Sequence, residues 1–167
     1  MTDEKLISAP DNPQPETTES PSLFDQPEGS DWFLVFLISY ADNYGIEQGI
    51  ALTVGGSLIT GTLISGRTYF EEIAKALERG KCQSKNGDDS ADLLKTMAES
   101  YGQFSQFYPK LELTEEHPVR QMRYVHLRNA RVVSPTGHIS PSDSVLWRGK
   151  LANVDGFMLG EITVGNS

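Results

Sequence analysis

A single cysteine, Cys82, is all the sulfur cross-linking capacity the sequence has. No disulfide can form within the chain, which fits a reducing compartment. Long apolar runs are also missing. The most apolar stretch, Trp32 to Ile38, is seven residues long, whereas a membrane-spanning helix needs about 20. No basic segment followed by an apolar one opens the chain, so no secretory signal is read. Positive charge is scarce as well: 14 Lys and Arg stand against 23 Asp and Glu, a formal net charge of −9. Without a basic excess, general binding to nucleic-acid phosphates is disfavoured. These absences predict a soluble cytoplasmic protein with no membrane partner, and they argue against nucleic acid.

Catalytic signatures are absent in the same way. Serines are plentiful, but no Gly-x-Ser-x-Gly elbow occurs. The Gly55-Gly56 segment lacks the Gly-Lys-Ser/Thr ending of a phosphate-binding loop, and it leads into a strand where such a loop opens a helix. His117, His126 and His138 are never three or four residues apart and no cysteine pair accompanies them, which disfavours a local tetrahedral metal site. His126 reads as an ordinary solvated or hydrogen-bonded histidine in an alternating strand. Cys82 lies beside Lys81, and a neighbouring cation favours the thiolate; it reads as a plain loop cysteine, with reversible intermolecular oxidation as the alternative. The expectation is a protein that is not an enzyme, with no catalytic residue, cofactor or metal.

Two regions of different composition remain. Residues 1–29 hold five of the nine prolines and seven acids against Lys5, a net −6 that leaves only −3 for the rest of the chain. Such a segment buries too little surface to offset its chain entropy, and it is read as a disordered acidic tail that folding does not need. Residues 30–167 are read as one α+β domain. Ser30 or Asp31 caps a helix on which Trp32, Phe33, Phe36, Leu37, Tyr40 and Tyr44 recur at helical spacing, with Gly45 as its stop. Val35 and Ile38 widen its apolar surface, so the helix is expected to be covered on more than one side. Ile50 to Val54 and Ser57 to Ile64 then alternate about Gly55-Gly56, a strong hairpin signal. Gly61 inside the second strand suggests a bulge or sharp bend.

Arg67 to Arg79 returns to helical spacing, with Thr68 and Glu71 placed as a capping box. A turn at Asn86-Gly87 precedes another helix carrying Leu93, Leu94, Met97, Tyr101 and Phe104, which ends by Pro109. Tyr124 to Val133 and Ser144 to Leu151 read as strands, and Val154-Asp155-Gly156-Phe157 as a second hairpin leading into Met158 to Val164. The sum is about five strands and three helices in a small, strongly bent antiparallel sheet or partial barrel.

The distinctive residues lie in that last sheet. By alternation Arg148 and Lys150 fall on the face opposite Trp147, so one face enters the core and the other presents cations. With Asp155 and Met158 of the next turn and strand, they are the candidate partner-contact residues.

Several of these blocks together resemble the gas vesicle accessory protein U family. They are the hairpin of residues 50–65 with Tyr69-Phe70, then Val125-His-Leu-Arg-Asn129, Trp147-Arg-Gly-Lys-Leu151, Val154-Asp-Gly-Phe157 and Leu159-Gly160. The resemblance implies a cytoplasmic accessory role on gas vesicles, in clustering or organising them rather than building the wall, with no catalytic residues to transfer. Vesicle wall or accessory proteins are the implied partners, and homo-oligomerisation is expected. The acidic tail is longer than the family leads one to expect, and the chain stops soon after Ile162. A second resemblance concerns fold: the order of helix, bent hairpin and a strand ending Leu-Trp-Arg-Gly is similar to an Sm-like barrel. That likeness implies an RNA-binding regulator as the alternative function. A chaperone for the wall protein is the third.

Overall fold

Asp31 opens the first helix by accepting hydrogen bonds from the backbone N–H groups of Phe33 and Leu34 at 2.8 and 3.1 Å. The computed structural model describes residues 29–79, 88–108, 122–133 and 145–162. The acidic segment read at residues 1–29 therefore lies, except for Gly29, outside the described residues, as do Cys82, His117, His138 and the Asn86-Gly87 turn. Helix α1 (Trp32–Tyr44) ends where Gly45 adopts φ 68° and returns its N–H to Ala41, a left-handed stop that glycine takes without strain.

The buried face of α1 is not the aromatic stripe that its spacing first suggests. Leu34, Val35, Ile38, Ala41 and Asp42 are buried, while Trp32 and Tyr40 keep 54% and 40% of their surface exposed. Both sets recur at helical spacing, so periodicity alone does not choose between them. The sheet chooses: it offers α1 an aliphatic floor of Ile50, Leu52, Ile59, Leu63, Val125 and Leu127, and branched aliphatic side chains interdigitate with it closely. The rings pack on one another instead, tilted or edge to face, with Phe36–Tyr40 and Tyr40–Tyr44 centroids 4.5 and 5.3 Å apart.

Strands β1 (Gln48–Val54) and β2 (Ser57–Leu63) form the expected hairpin, with φ 54° and 77° at Gly55 and Gly56. Helix α2 (Gly66–Arg79) follows, but Ser65 caps it: its Oγ accepts from the N–H of Thr68 at 3.0 Å. The box expected at Thr68 and Glu71 begins three residues too late, because buried Asp42 holds the N–H of Gly66 at 2.7 Å and sets the helix start there. Helix α3 (Asp88–Phe104) and a 3-10 turn (Ser105–Phe107) come next. Strands β3 (Tyr124–Val133), β4 (Trp147–Lys150) and β5 (Val154–Leu159) complete one antiparallel sheet of five, in the order β4-β3-β2-β1-β5. The fold is α+β, and the sheet is a curled half-barrel, open between β4 and β5.

The bend read at Gly61 is present, with the extra residue on the neighbouring strand. Thr60 pairs with Arg131 but Thr62 with Arg128, so Gly61 faces both Asn129 and Ala130, and Asn129 takes φ 52°. A Cβ on Gly61 would lie 2.8 Å from the Arg128 carbonyl oxygen, so only glycine fits under the bulge.

The second hairpin is overturned. β4 and β5 are opposite edges of the sheet and do not pair. Leu151 is fully buried and donates its N–H to the Arg123 carbonyl, and the 3-10 turn Leu151–Asn153 then carries the chain across to the free edge of β1. Asp155-Gly156, locally a good turn, lies inside β5, where the register slips opposite Thr53 and Val54. Trp147 and Phe157 nevertheless pack against the same core, each from its own edge. Phe157 is only half-buried and leans on Phe33 with centroids 5.8 Å apart. Phe157→Ala is therefore expected to cost about 1–3 kcal/mol in urea unfolding, below the roughly 3–5 of a fully buried ring. A loss under about 0.5 kcal/mol would show that the ring does not support this edge.

Candidate functional site

Strand β4 alternates as its sequence requires: Trp147 and Gly149 turn towards the core, Arg148 and Lys150 to the other face. The Trp147 ring folds back over Gly149, so that a Cβ there would lie 2.2 Å from the indole. Gly149→Ala is expected to push the indole outward, cost about 1–3 kcal/mol by overpacking, and red-shift the tryptophan emission. An unshifted spectrum with unchanged stability would mean that the ring has room to move.

On the outward face, His126 of β3 sits directly opposite Arg148. His126 is 1% exposed, and Tyr69, Phe70 and Tyr108 surround its ring with centroids 4.8, 6.3 and 5.6 Å away. Arg148 lays its guanidinium on Tyr124, 3.4 Å from the ring centroid, and donates from Nε to His126 Nε2 at 3.3 Å. Burial, and then the Arg148 charge, lower the His126 pKa from 6.5 to about 3. The imidazole is a neutral acceptor, and the solvated alternative for His126 does not hold. Burial also raises the Tyr69 hydroxyl above its ordinary value.

The other two candidates lie at the far edge. Asp155 uses its carboxylate on the β1–β2 turn, accepting from the Gly55 N–H at 2.8 Å. Met158 faces outward opposite Ala51 and is 52% exposed. The structure thus keeps Arg148 and Lys150 together and separates both from Asp155 and Met158 by the width of the sheet.

Elsewhere on the outer face the arginines are matched to acids. Arg128 pairs with Glu72 at 2.9 Å and with Glu47, and Arg131 with Glu161 at 3.1 Å. Between α2 and the β3–β4 edge runs a groove of about 350 Å³, lined by Glu72, Lys75, Ala76, Arg79, Arg128 and Leu146. Sequence reasoning passed over this groove, and it named the aromatic row of α1 without seeing that Trp32 and Tyr40 stay exposed. The 32-36-40-44 spacing of Trp and Tyr with Phe36 was the available signal for the row. Nothing local signalled the groove.

Among the described residues no three His, Cys, Asp or Glu side chains gather to hold a metal ion, and no helix is long and apolar enough to cross a membrane. A family model described as gas vesicle protein GvpU-like matches residues 31–162, from the cap of α1 to just beyond β5. No curated protein and no solved structure matches the chain.

Proposed function

The chain belongs to the gas vesicle protein GvpU-like family, and from that premise we propose that it is a cytoplasmic, non-catalytic accessory protein that associates with gas vesicles and draws them into clusters. The observation that supports the clustering step is the outward face of β4. There Arg148 and Lys150 stand exposed on an edge strand, and neither makes a salt bridge among the described residues. Such contacts are weak singly, but an oligomer on a repeating vesicle wall multiplies them.

Flotation tests the reading. Purified protein mixed with buoyant vesicles should rise with them and turn a dispersed suspension into aggregates. Protein that stays below while binding unassembled wall subunits would make it an assembly chaperone instead. A salt-dependent RNA gel shift without vesicle association would transfer the role to RNA.

A further inference from the structure

A guanidinium has two edges on which a carboxylate is gripped by parallel hydrogen bonds, one including Nε and one made by the two Nη groups. At Arg148 the first edge is occupied, since Nε donates to buried His126, and the flat face rests on Tyr124. The Nη edge is left, and among the described residues neither Nη group has a hydrogen-bond or ion-pair partner. The seat fixes the side chain before anything binds, so little rotamer freedom is lost on gripping a ligand. Arg128 and Arg131 on the same face already hold carboxylates. Arg148 is built in a comparable way and holds none.

Its surroundings extend the positive charge. Lys150 is two residues on along the same face. In the other direction, the groove that begins at Leu146 adds Lys75 and Arg79, neither in a salt bridge among the described residues, beside Arg128, whose charge Glu72 and Glu47 already answer. The complement to this strip is within the chain itself: residues 1–28 carry seven acids and one lysine, whereas the rest of the chain is nearly balanced. Twenty-eight residues span up to about 90 Å when extended, several times the width of five strands spaced about 4.8 Å apart. That segment precedes α1, which packs on the face of the sheet opposite Arg148. Reaching a neighbour's Arg148 needs no wrapping around its own sheet.

We propose that the Nη edge of Arg148, flanked by Lys150, receives carboxylates of the acidic segment 1–28 from a second copy of the chain. The contact is head-to-tail: each copy gives one acidic segment and offers one seat, so association extends copy by copy into a chain wherever it does not close into a ring. The inference rests on the proposed clustering role for its biological meaning only, since it names what the β4 strip grips.

Two full-length variants test it by complementation. Arg148→Gln removes the seat while keeping an N–H donor for His126. The second variant replaces all seven acids of residues 1–28 by their amides. In sedimentation at low salt, wild type should associate with rising concentration and dissociate as salt is added. Each variant alone should remain monomeric, and an equal mixture should form pairs and nothing larger. A monomeric mixture, or association of either variant alone as in wild type, overturns the proposal. Should Arg148→Gln fail to fold, a labelled peptide of residues 1–28 is titrated instead into the amide variant with and without Arg148→Lys. That change keeps the charge but not the fork, so affinity should fall about tenfold; equal binding overturns the proposal. Peptide binding by the amide variant while wild type stays monomeric at every concentration overturns it too, because the segment then occupies its own seat. Failure of the protein to float with vesicles would remove the proposed role and leave this contact standing.

Discussion

Stability is expected to fall by about 1.4 kcal/mol for each pH unit below about 6.5, and His126 should carry that slope. In the fold the imidazole stays neutral until about pH 3, whereas the unfolded chain takes up the proton at its ordinary 6.5. Between those limits the unfolded state holds one more proton. The contribution is therefore fully present above 6.5 and is lost as the pH drops. Down to pH 4 the loss is about 3 kcal/mol, a large part of the roughly 5–15 kcal/mol by which a small domain is stable. The direction follows from the geometry: an imidazolium would have to sit among Tyr69, Phe70 and Tyr108 with its Nε2 hydrogen directed at the Arg148 Nε–H. Urea midpoints measured from pH 7.5 to 4.5 check this, beside a His126→Gln variant whose carbonyl still accepts from Arg148. The variant should show a flatter profile. An equal slope in both proteins would place the pH dependence elsewhere.

How far this architecture was legible depends on whether the deciding contact was local. The β1–β2 hairpin and the full span of β3 were readable, because Gly55-Gly56 and strict alternation act within a few residues. The outward placement of Arg148 and Lys150 was readable for the same reason. What failed was decided at long range. Asp155-Gly156 is a good turn locally, yet the free edge of β1 and the burial of Leu151 placed it inside a strand. That error also drew Asp155 and Met158 towards Arg148, when the sheet sets them at its opposite edge. The cap of α2 was displaced by Asp42, 24 residues earlier. The choice between the two stripes of α1 awaited the shape of the sheet beneath it.

The site divides along the same line. Alternation identified the two cations, but it carried no sign that Tyr124 and His126 stand beneath one of them, because only the β3–β4 register brings these residues together. That seat changes what Arg148 is. It is partly structural, and a substitution there acts on stability as well as on contact.

Cells carrying Arg148→Ser together with Lys150→Ser are expected to contain dispersed vesicles where the wild type gives clusters. A seated guanidinium gripping a carboxylate contributes about 1.5–3 kcal/mol, and an exposed lysine contributes up to about 1. Losing about 2 kcal/mol weakens each contact roughly 30-fold, and a vesicle joined by many copies compounds that loss. The same substitution leaves His126 Nε2 buried without its donor, which costs about 1–3 kcal/mol of stability. Arg148→Gln with Lys150→Ser is therefore the cleaner arm, since glutamine keeps a donor for the imidazole and discards the charge. Raised salt should disperse wild-type clusters in extracts, because exposed charges separated by more than about 8 Å are screened at physiological ionic strength and nearer ones as salt rises further. Imaging decides between the outcomes once melting curves show both variants folded. Normal clusters in the Gln/Ser cells would sink the cationic-strip mechanism and leave membership of the family untouched. Dispersed vesicles that still float with bound protein would locate the defect in the contact between copies, not in attachment to the wall.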